Sequence, residues 1–238
     1  MTARVREDEL AVRIEQPSLV DLAADKIRKL LLAGTIKPGE RVREEWLSSI
    51  LGVSRPPVRE AIQVLLQQGL LVRSPRRGVR VVDLTEDDIS DIYSLRAALD
   101  RFAIELGVPI KDRSSLDPLR RAIEDMKRSV EAGDHPGYVE ANRGFHVGLI
   151  DLGGNRRLTM TYVMLMNQVH LLMSVTLSRE SDADRQLGVH RHEELLAAIE
   201  SNDPQQALIA LDAHGEQRFL RDPLPAATDD ASGTDRTR

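Results

Sequence analysis

The stretch that decides the fold is Gly52-Val53-Ser54-Arg55-Pro56-Pro57-Val58-Arg59-Glu60-Ala61-Ile62. Gly52 is typical of a helix end, and it closes a short helix predicted over about 44–51. Ser54 is an N-cap candidate for the next helix, and the two prolines fall in its first turn, where a missing N–H costs little. Arg55 and Arg59 are four residues apart, so they share one face of that helix. The pattern predicts two short helices joined by a tight turn.

The flanking sequence completes a small domain. Upstream, apolar residues recur at helical spacing, and the short helix adds a further apolar set: Leu19, Val20, Ala23, Ile27, Leu30 and Leu31, then Trp46, Leu47 and Ile50. We expect all three residues of the second set to be buried. Downstream, two short β-type runs at 70–72 and 79–82 flank a basic turn at 73–78, which indicates a hairpin. Three helices and a two-stranded wing predict a winged helix-turn-helix, whose second short helix would read the major groove.

The charge of the chain is divided unevenly. The 238 residues carry a net charge of −5, but residues 1–82 hold 15 basic and 10 acidic side chains, a net charge of +5. Residues 83–238 hold 18 basic and 28 acidic side chains, a net charge of −10. The stretch 53–82 contains six arginines and a single acidic residue, Glu60. This local excess indicates a nucleic-acid partner, although a solvated arginine face would give the same count.

Composition excludes several classes of function. The chain has no cysteine, which excludes disulfides, thiolate metal sites and cysteine nucleophiles and fits a reducing cytosol. Only seven residues are aromatic, which argues against a stacking platform for single strands. The N-terminus lacks an apolar signal core, and the most apolar stretch, 161–177, is interrupted by polar residues. We therefore expect a cytoplasmic protein without a membrane partner.

The remainder of the chain predicts an all-α bundle. Thr85 and Asp88 form a capping-box pattern at the start of a second domain, predicted over 83–221 after a DNA-binding domain over 18–82. Helical periodicity continues to about residue 220 and predicts about six helices, so the fold class is mainly α. The sequences 1–17 and 222–238 are predicted to be flexible or disordered tails.

Histidines mark the second domain. Asn142 and His146 are four residues apart and share a helix face, His192 opens a helical stretch, and His214 is expected near the middle of a last helix over 204–220. No short metal motif such as H-E-x-x-H is present, so spacing alone leaves each residue as an ordinary surface or core histidine. A metal-dependent hydrolase is one alternative, but Glu193, the neighbouring carboxylate, points about 100° away from His192 on an ideal helix.

The first domain resembles the DNA-binding domain of GntR-family transcription regulators. The resemblance rests on 52–62, followed by Gly69-Leu70-Leu71 and Gly78. It implies that Arg55, Arg59 and Gly78 contact DNA. With the cap and the wing, the predicted DNA-binding residues are Ser54, Arg55, Pro57, Arg59, Arg76, Arg77 and Gly78. Pro56 and Glu45 depart from the family, in which a Thr and, in some members, an Arg are found.

The second domain is similar to the FCD domain of the FadR branch of that family. The resemblance rests on Asn142-x-x-Phe145-His146 and Gly154-Asn155-x-x-Leu158, with His192 and His214. It implies a divalent metal ion held by Asn142, His146, His192 and His214. These nitrogen and oxygen ligands suit zinc, nickel, iron or manganese, and Asn142 stands where Asp is more frequent. Arg96 resembles an arginine that recurs in relatives and would bind an acidic effector, although it can also pair with Asp100 within its helix.

Taken together, the sequence predicts a bacterial transcription regulator, acting as a repressor. We expect a homodimer that binds two-fold-related operator DNA and is controlled by a small organic acid bound in a metal-containing helical domain. The alternatives are the hydrolase and a helical interaction protein that does not bind DNA.

Overall fold

The structure is a computed structural model whose described residues are 17–176 and 181–214. Its N-terminal part is a winged helix-turn-helix, as predicted, built from α1 (Leu19–Leu32), α2 (Glu44–Leu51), α3 (Arg55–Gln67), β1 (Leu71–Ser74) and β2 (Gly78–Val81). Ser18 and Asp21 cap α1 reciprocally, and Gly52 ends α2 with a left-handed φ of 67°. The inner face of α3 is buried, as predicted: Val58, Ala61, Ile62 and Leu65.

The wing is an antiparallel hairpin. Leu71 pairs with Val81 and Ser74 pairs with Gly78. Its turn spans only 75–77, so Arg73, which the sequence assigned to the turn, lies in β1 opposite Val79. The predicted turn was too long because the strand pairing continues to Ser74 and Gly78, which leaves only 75–77 in the turn.

A helical bundle follows. Its six α-helices in the described residues are α4 (Glu86–Gly107), α5 (Asp117–Ala132), α6 (His135–Leu152), α7 (Arg156–Thr176), α8 (Asp182–Glu200) and α9 (Pro204–Ala213). The predicted capping box of α4 is present, since the Thr85 hydroxyl accepts from the Asp88 amide at 3.2 Å. Helix α6 lies inside the bundle, in contact with α4, α5 and α7. No described helix combines the length and the continuous apolar sequence that a membrane-spanning segment requires.

Helix α7 packs on both parts of the protein. Its Tyr162 and Val169 are fully buried in the bundle. Leu171, in contrast, is 2% exposed and belongs to the core of the winged helix-turn-helix. The side-chain amide of Gln168 also donates to the carbonyl oxygen of Gly69 at 3.4 Å. The two parts of the chain therefore share a core residue.

Two expectations about α2 were wrong. Trp46 and Ile50 are 40% and 46% exposed, and only Leu47 of the predicted apolar set is fully buried. The helix has eight residues and packs between α1 and α3 along a narrow face, so it buries one residue of the three. Trp46 and Ile50 are four residues apart and share a second, outward face.

The last helix also differs from its prediction. His214 is the C-cap of α9 rather than a residue near the middle of a helix. Residues 215–220, over which the helix was predicted to continue, lie outside the described residues, as do the predicted C-terminal tail 222–238 and, except for Pro17, the N-terminal tail 1–17.

We predict that Leu171→Ala lowers the free energy of unfolding by about 2–5 kcal/mol, because it leaves a cavity where α7 meets the winged helix-turn-helix. The measurement is urea denaturation followed by the fluorescence of Trp46, the single tryptophan. Met160→Ala is the control on the same helix, since Met160 is 51% exposed, and its effect should stay within about 0.5 kcal/mol. Equal unfolding midpoints for the two variants would show that Leu171 does not join the domains.

Candidate functional site

The face of α3 that is predicted to read the major groove carries two exposed arginines. The side chains of Arg55 and Arg59 are 61% and 63% exposed. Each is paired with an acid of α2: Arg55 Nη2 lies 2.7 Å from Glu45 Oε1, and Arg59 Nη2 lies 3.1 Å from Glu44 Oε2. Surface ion pairs of this kind contribute little stability, about 0–1 kcal/mol, so a phosphate or a guanine edge can replace the carboxylates.

Ser54 occupies the N-cap position of α3 but does not cap it through its side chain. A capping hydroxyl accepts from the amide of the second or third helical residue. These residues are Pro56 and Pro57, which have no N–H. Ser54 therefore occupies the predicted cap position without a side-chain hydrogen bond. The exposed Ser54 hydroxyl remains at the positive end of the helix, beside Arg55.

The tip of the wing is basic and exposed. Arg76, Arg77 and Gly78 are all exposed, and Arg76 and Gly78 have positive φ angles of 61° and 81°. The left-handed φ of Gly78 would strain any side chain with a Cβ. The tight turn thus presents two guanidinium groups away from the core.

Three histidines form a buried cluster in the bundle. His146 on α6, His192 on α8 and His214 at the end of α9 each offer one ring nitrogen, and these atoms lie within 4.8 Å of one another. The residues are 1%, 4% and 7% exposed. The cluster is built from three helices, of which α6 is distant in sequence from the consecutive helices α8 and α9. The spacing is suitable for holding a metal ion.

Hydrogen bonds fix the tautomers of two rings. His192 Nδ1 lies 2.7 Å from the Gly188 carbonyl, and His214 Nδ1 lies 3.2 Å from the Arg191 carbonyl. A carbonyl oxygen only accepts, so each Nδ1 carries the hydrogen and each Nε2 keeps its lone pair. His192 Nε2 is buried without a hydrogen-bond partner in the described residues. A buried lone pair of this kind fits a metal ligand.

Burial keeps the cluster uncharged. Loss of hydration lowers the pKa of His192 to about 4 and holds the pKa values of His146 and His214 well below the ordinary value of histidine. The positive charge of Arg96 lowers all three pKa values further. The rings are therefore neutral at pH 7, which is the form that binds metals.

Phe145 packs against the cluster. Its ring centroid is 4.8 Å from that of His192 and 5.5 Å from that of His146, in both cases edge to face. Neighbouring α8 carries Gly188, where a Cβ would lie 2.3 Å from the Tyr138 hydroxyl. The aromatic ring restricts the imidazoles, and the glycine lets α8 approach α6.

Asn142 lies one turn before His146 on α6 and is 5% exposed. Its amide nitrogen lies 3.5 Å from Met173 Sδ, so α7 contacts this predicted ligand. The structure brings the three predicted histidine ligands together and places Asn142 on the same buried helix face. His170, the other buried histidine, lies apart from the cluster, with Nδ1 3.4 Å from Glu140 Oε2.

A buried charge pair borders the cluster. Arg96 and Asp100 are 2% and 0% exposed, and Arg96 Nε lies 3.7 Å from Asp100 Oδ2. Arg96 Nε also donates to the Tyr162 hydroxyl at 3.2 Å, and Asp100 Oδ2 lies 3.9 Å from His146 Nδ1. Arg96 therefore pairs within its helix, as one interpretation predicted, and its binding of an effector stays a prediction.

Asp100 was not predicted as a site residue. The signal in the sequence was its spacing of four residues from Arg96, which identified the pair but not its burial. Glu193, in contrast, points away from the histidines, with Oε1 2.8 Å from Lys127 Nζ. It is therefore not placed as a general base, and the hydrolase alternative loses its candidate.

A basic winged helix-turn-helix joined to a helical domain with a buried polar site defines a ligand-responsive transcription regulator. The sequence model of the bacterial regulatory proteins of the gntR family matches residues 19–81, and that of the FCD domain matches residues 91–217. The chain belongs to the GntR family and has an FCD effector-binding domain. It is a transcription regulator and not an enzyme.

Curated relatives agree with this assignment. The HTH-type transcriptional regulator YdhC of Bacillus subtilis is 31% identical over 168 residues, which are 70% of this chain and 75% of YdhC. The D-xylose utilization operon transcriptional repressor of Paenarthrobacter nicotinovorans is 28% identical over 207 residues, covering 87% and 90% of the two chains. The gluconate operon transcriptional repressor of Bacillus subtilis is 29% identical over 188 residues, covering 76% and 75%.

Solved structures share the fold. A GntR transcriptional regulator from Rhodococcus sp. RHA1 superposes with a TM-score of 0.75 at 24% identity, covering 85% of this chain and 98% of its own. E. coli McbR/YncC gives a TM-score of 0.74 at 22% identity, covering 87% and 97%. The predicted architecture is confirmed.

Proposed function

We propose that the protein is a one-component repressor whose operator binding is controlled by a small organic acid, bound beside a divalent metal ion. The observation that carries the proposal is the buried triad of His146, His192 and His214 in a regulator of this family. The named repressors among its relatives support repression. Because it acts on operator DNA, we place it in the cytoplasm of a bacterial cell.

The DNA contacts are assigned to one surface. Ser54, Arg55, Pro57 and Arg59 lie at the start of α3, and the wing tip adds Arg76, Arg77 and Gly78. Arginine can pair bidentately with guanine or phosphate, and a helix N-terminus attracts phosphate. When DNA binds, Arg55 and Arg59 would break their ion pairs with Glu45 and Glu44 and contact the DNA instead.

A homodimer would present two such surfaces. On α4, Leu95, Phe102 and Leu106 are 47%, 44% and 48% exposed and, with Leu99, follow one helix face at spacings of four, three and four residues. An apolar stripe of this spacing suits helix–helix pairing. We assign the dimer contact to α4, so that two recognition helices meet a two-fold-related operator.

We predict that Arg59→Ala weakens binding to an operator duplex by about 1–3 kcal/mol, roughly 5- to 150-fold. The duplex is selected with wild-type protein from a random-sequence pool, and affinity is measured by fluorescence anisotropy. Arg128→Ala is the control, because Arg128 is an exposed arginine paired with Asp125 in the bundle. It should leave the affinity unchanged.

The same titrations, repeated at several salt concentrations, measure the electrostatic contribution to DNA binding. A dimer that contacts six to ten phosphates should lose roughly 10³–10⁵ in affinity between 50 and 200 mM salt. A pool from which no sequence is enriched, or equal affinities for the two arginine variants, would contradict the assigned DNA surface.

The metal would be held by His146, His192 and His214, with Asn142 as an oxygen ligand. Zinc, nickel, iron or manganese suits this donor set. A bound divalent ion supplies a Lewis-acidic site for a carboxylate oxygen. The Nδ1 hydrogen bonds of His192 and His214 hold their Nε2 lone pairs in place, Phe145 restricts the rings, and Arg96 is the candidate partner of an acidic ligand.

We predict about one divalent ion per wild-type chain and a large loss of metal in His192→Ala, because the variant removes a neutral buried ligand. The measurement is elemental analysis of untagged protein after gentle purification. His190→Ala is the control, since His190 lies on α8 with a side chain that is 62% exposed. Fewer than about 0.2 ions per wild-type chain, even after addition of zinc, nickel or manganese, would contradict the metal site.

A further inference from the structure

The candidate ligand set carries no negative charge. An imidazole that binds a metal is neutral, so His146, His192 and His214 add none. Asn142, the remaining predicted ligand, has a neutral carboxamide. A divalent ion in this set would keep its full charge of two.

In the part of the chain that the structure describes, the charged groups nearest to the cluster do not supply the missing anion. Asp100 is fully buried, but Arg96 lies 3.7 Å away and compensates its charge. Arg191, which is half-buried and whose carbonyl accepts from His214, adds a further positive charge near the site. Glu193 is turned outward to Lys127. Among the described residues, the surroundings of the cluster are therefore neutral to positive.

Burial makes this charge costly. His146, His192 and Asp100 are each at most 4% exposed, so water contributes little compensation. An uncompensated buried charge is strongly unfavourable, and a compact anion that contacts the cation removes the cost. A ligand with one carboxylate leaves one positive charge on the ion and its ligands, whereas a ligand with two carboxylates balances the charge of the ion.

We infer that the effector is a small dicarboxylate and that the neutral side chain of Asn142 sets this preference. The inference rests on the proposed metal and effector site and specifies its ligand class. One carboxylate would bind at the metal, and the other would be placed in the positive field of Arg191. An aspartate at position 142 would supply one of the two negative charges itself and remove the need for the second carboxylate.

The test compares two acids that differ in one group. Zinc-loaded protein is titrated by calorimetry with malate and with 2-hydroxybutyrate, which has a methyl group in place of the second carboxylate. An opposite charge within a few ångströms changes a binding equilibrium by about one to three powers of ten, so malate should bind at least about tenfold more tightly.

Variants at position 142 identify the cause. Asn142→Asp should reduce the preference for malate at least about tenfold, while Asn142→Ser, which is neutral, should keep it. The zinc content of every variant is measured before the titration. Asn142→Asp should bind zinc more tightly than the wild type, because aspartate adds a negative charge to the ligand set. The wild-type comparison remains decisive even if a variant fails to fold.

The outcomes separate this inference from the proposed function. If both acids bind the wild type equally, the dicarboxylate inference is wrong and the effector site stands. If the wild type prefers malate and Asn142→Asp keeps that preference, the role assigned to Asn142 is wrong. If zinc binds but neither acid does, the effector site fails and the inference fails with it. If zinc does not bind, the metal site fails first.

Discussion

The structure depends on the packing of α7 between two cores. Leu171 is buried in the winged helix-turn-helix, while Tyr162 and Val169 of the same helix are buried in the bundle. Tyr162 accepts a hydrogen bond from Arg96, and Met173 contacts Asn142. One continuous helix therefore contacts the candidate effector residue, a candidate metal ligand and the core that supports the reading helix. A small movement of α7 changes the packing of both parts, since close-packed interiors transmit displacement.

Charge is arranged differently in the two parts. On α3, Arg55 and Arg59 are exposed and paired with exposed carboxylates, so exchanging one partner for another costs little. In the bundle, Arg96 and Asp100 are buried, and removing either partner leaves an uncompensated charge. The exposed pairs suit reversible contact with DNA. The buried pair suits a site whose electrostatic balance responds to a ligand. Because the two parts use charge differently, the total charge of −5 indicates neither the DNA partner nor the acidic ligand.

Local structure could be predicted from the sequence, and long-range contacts could not. The cap, the helix-ending glycine and the apolar spacing around α3 are properties of neighbouring residues, and they predicted the DNA-binding fold correctly. The three histidines lie on separate helices, so only family resemblance indicated that they meet. Burial of Asp100 and the insertion of Leu171 into the other core depend on how helices pack. The exposure of Trp46 was mispredicted for the same reason, because periodicity shows which residues share a face and not what covers it.

We propose a coupling between the buried site and the reading helix α3 through α7. Its most direct test is the dissociation constant for the selected operator duplex, measured with zinc-loaded protein in the absence and presence of a saturating concentration of the acid that binds most tightly in calorimetry. We expect a change of about 5- to 150-fold in wild-type protein and none in His192→Ala. An unchanged dissociation constant in wild-type protein, with the acid bound at saturation, would show that the two sites are not coupled.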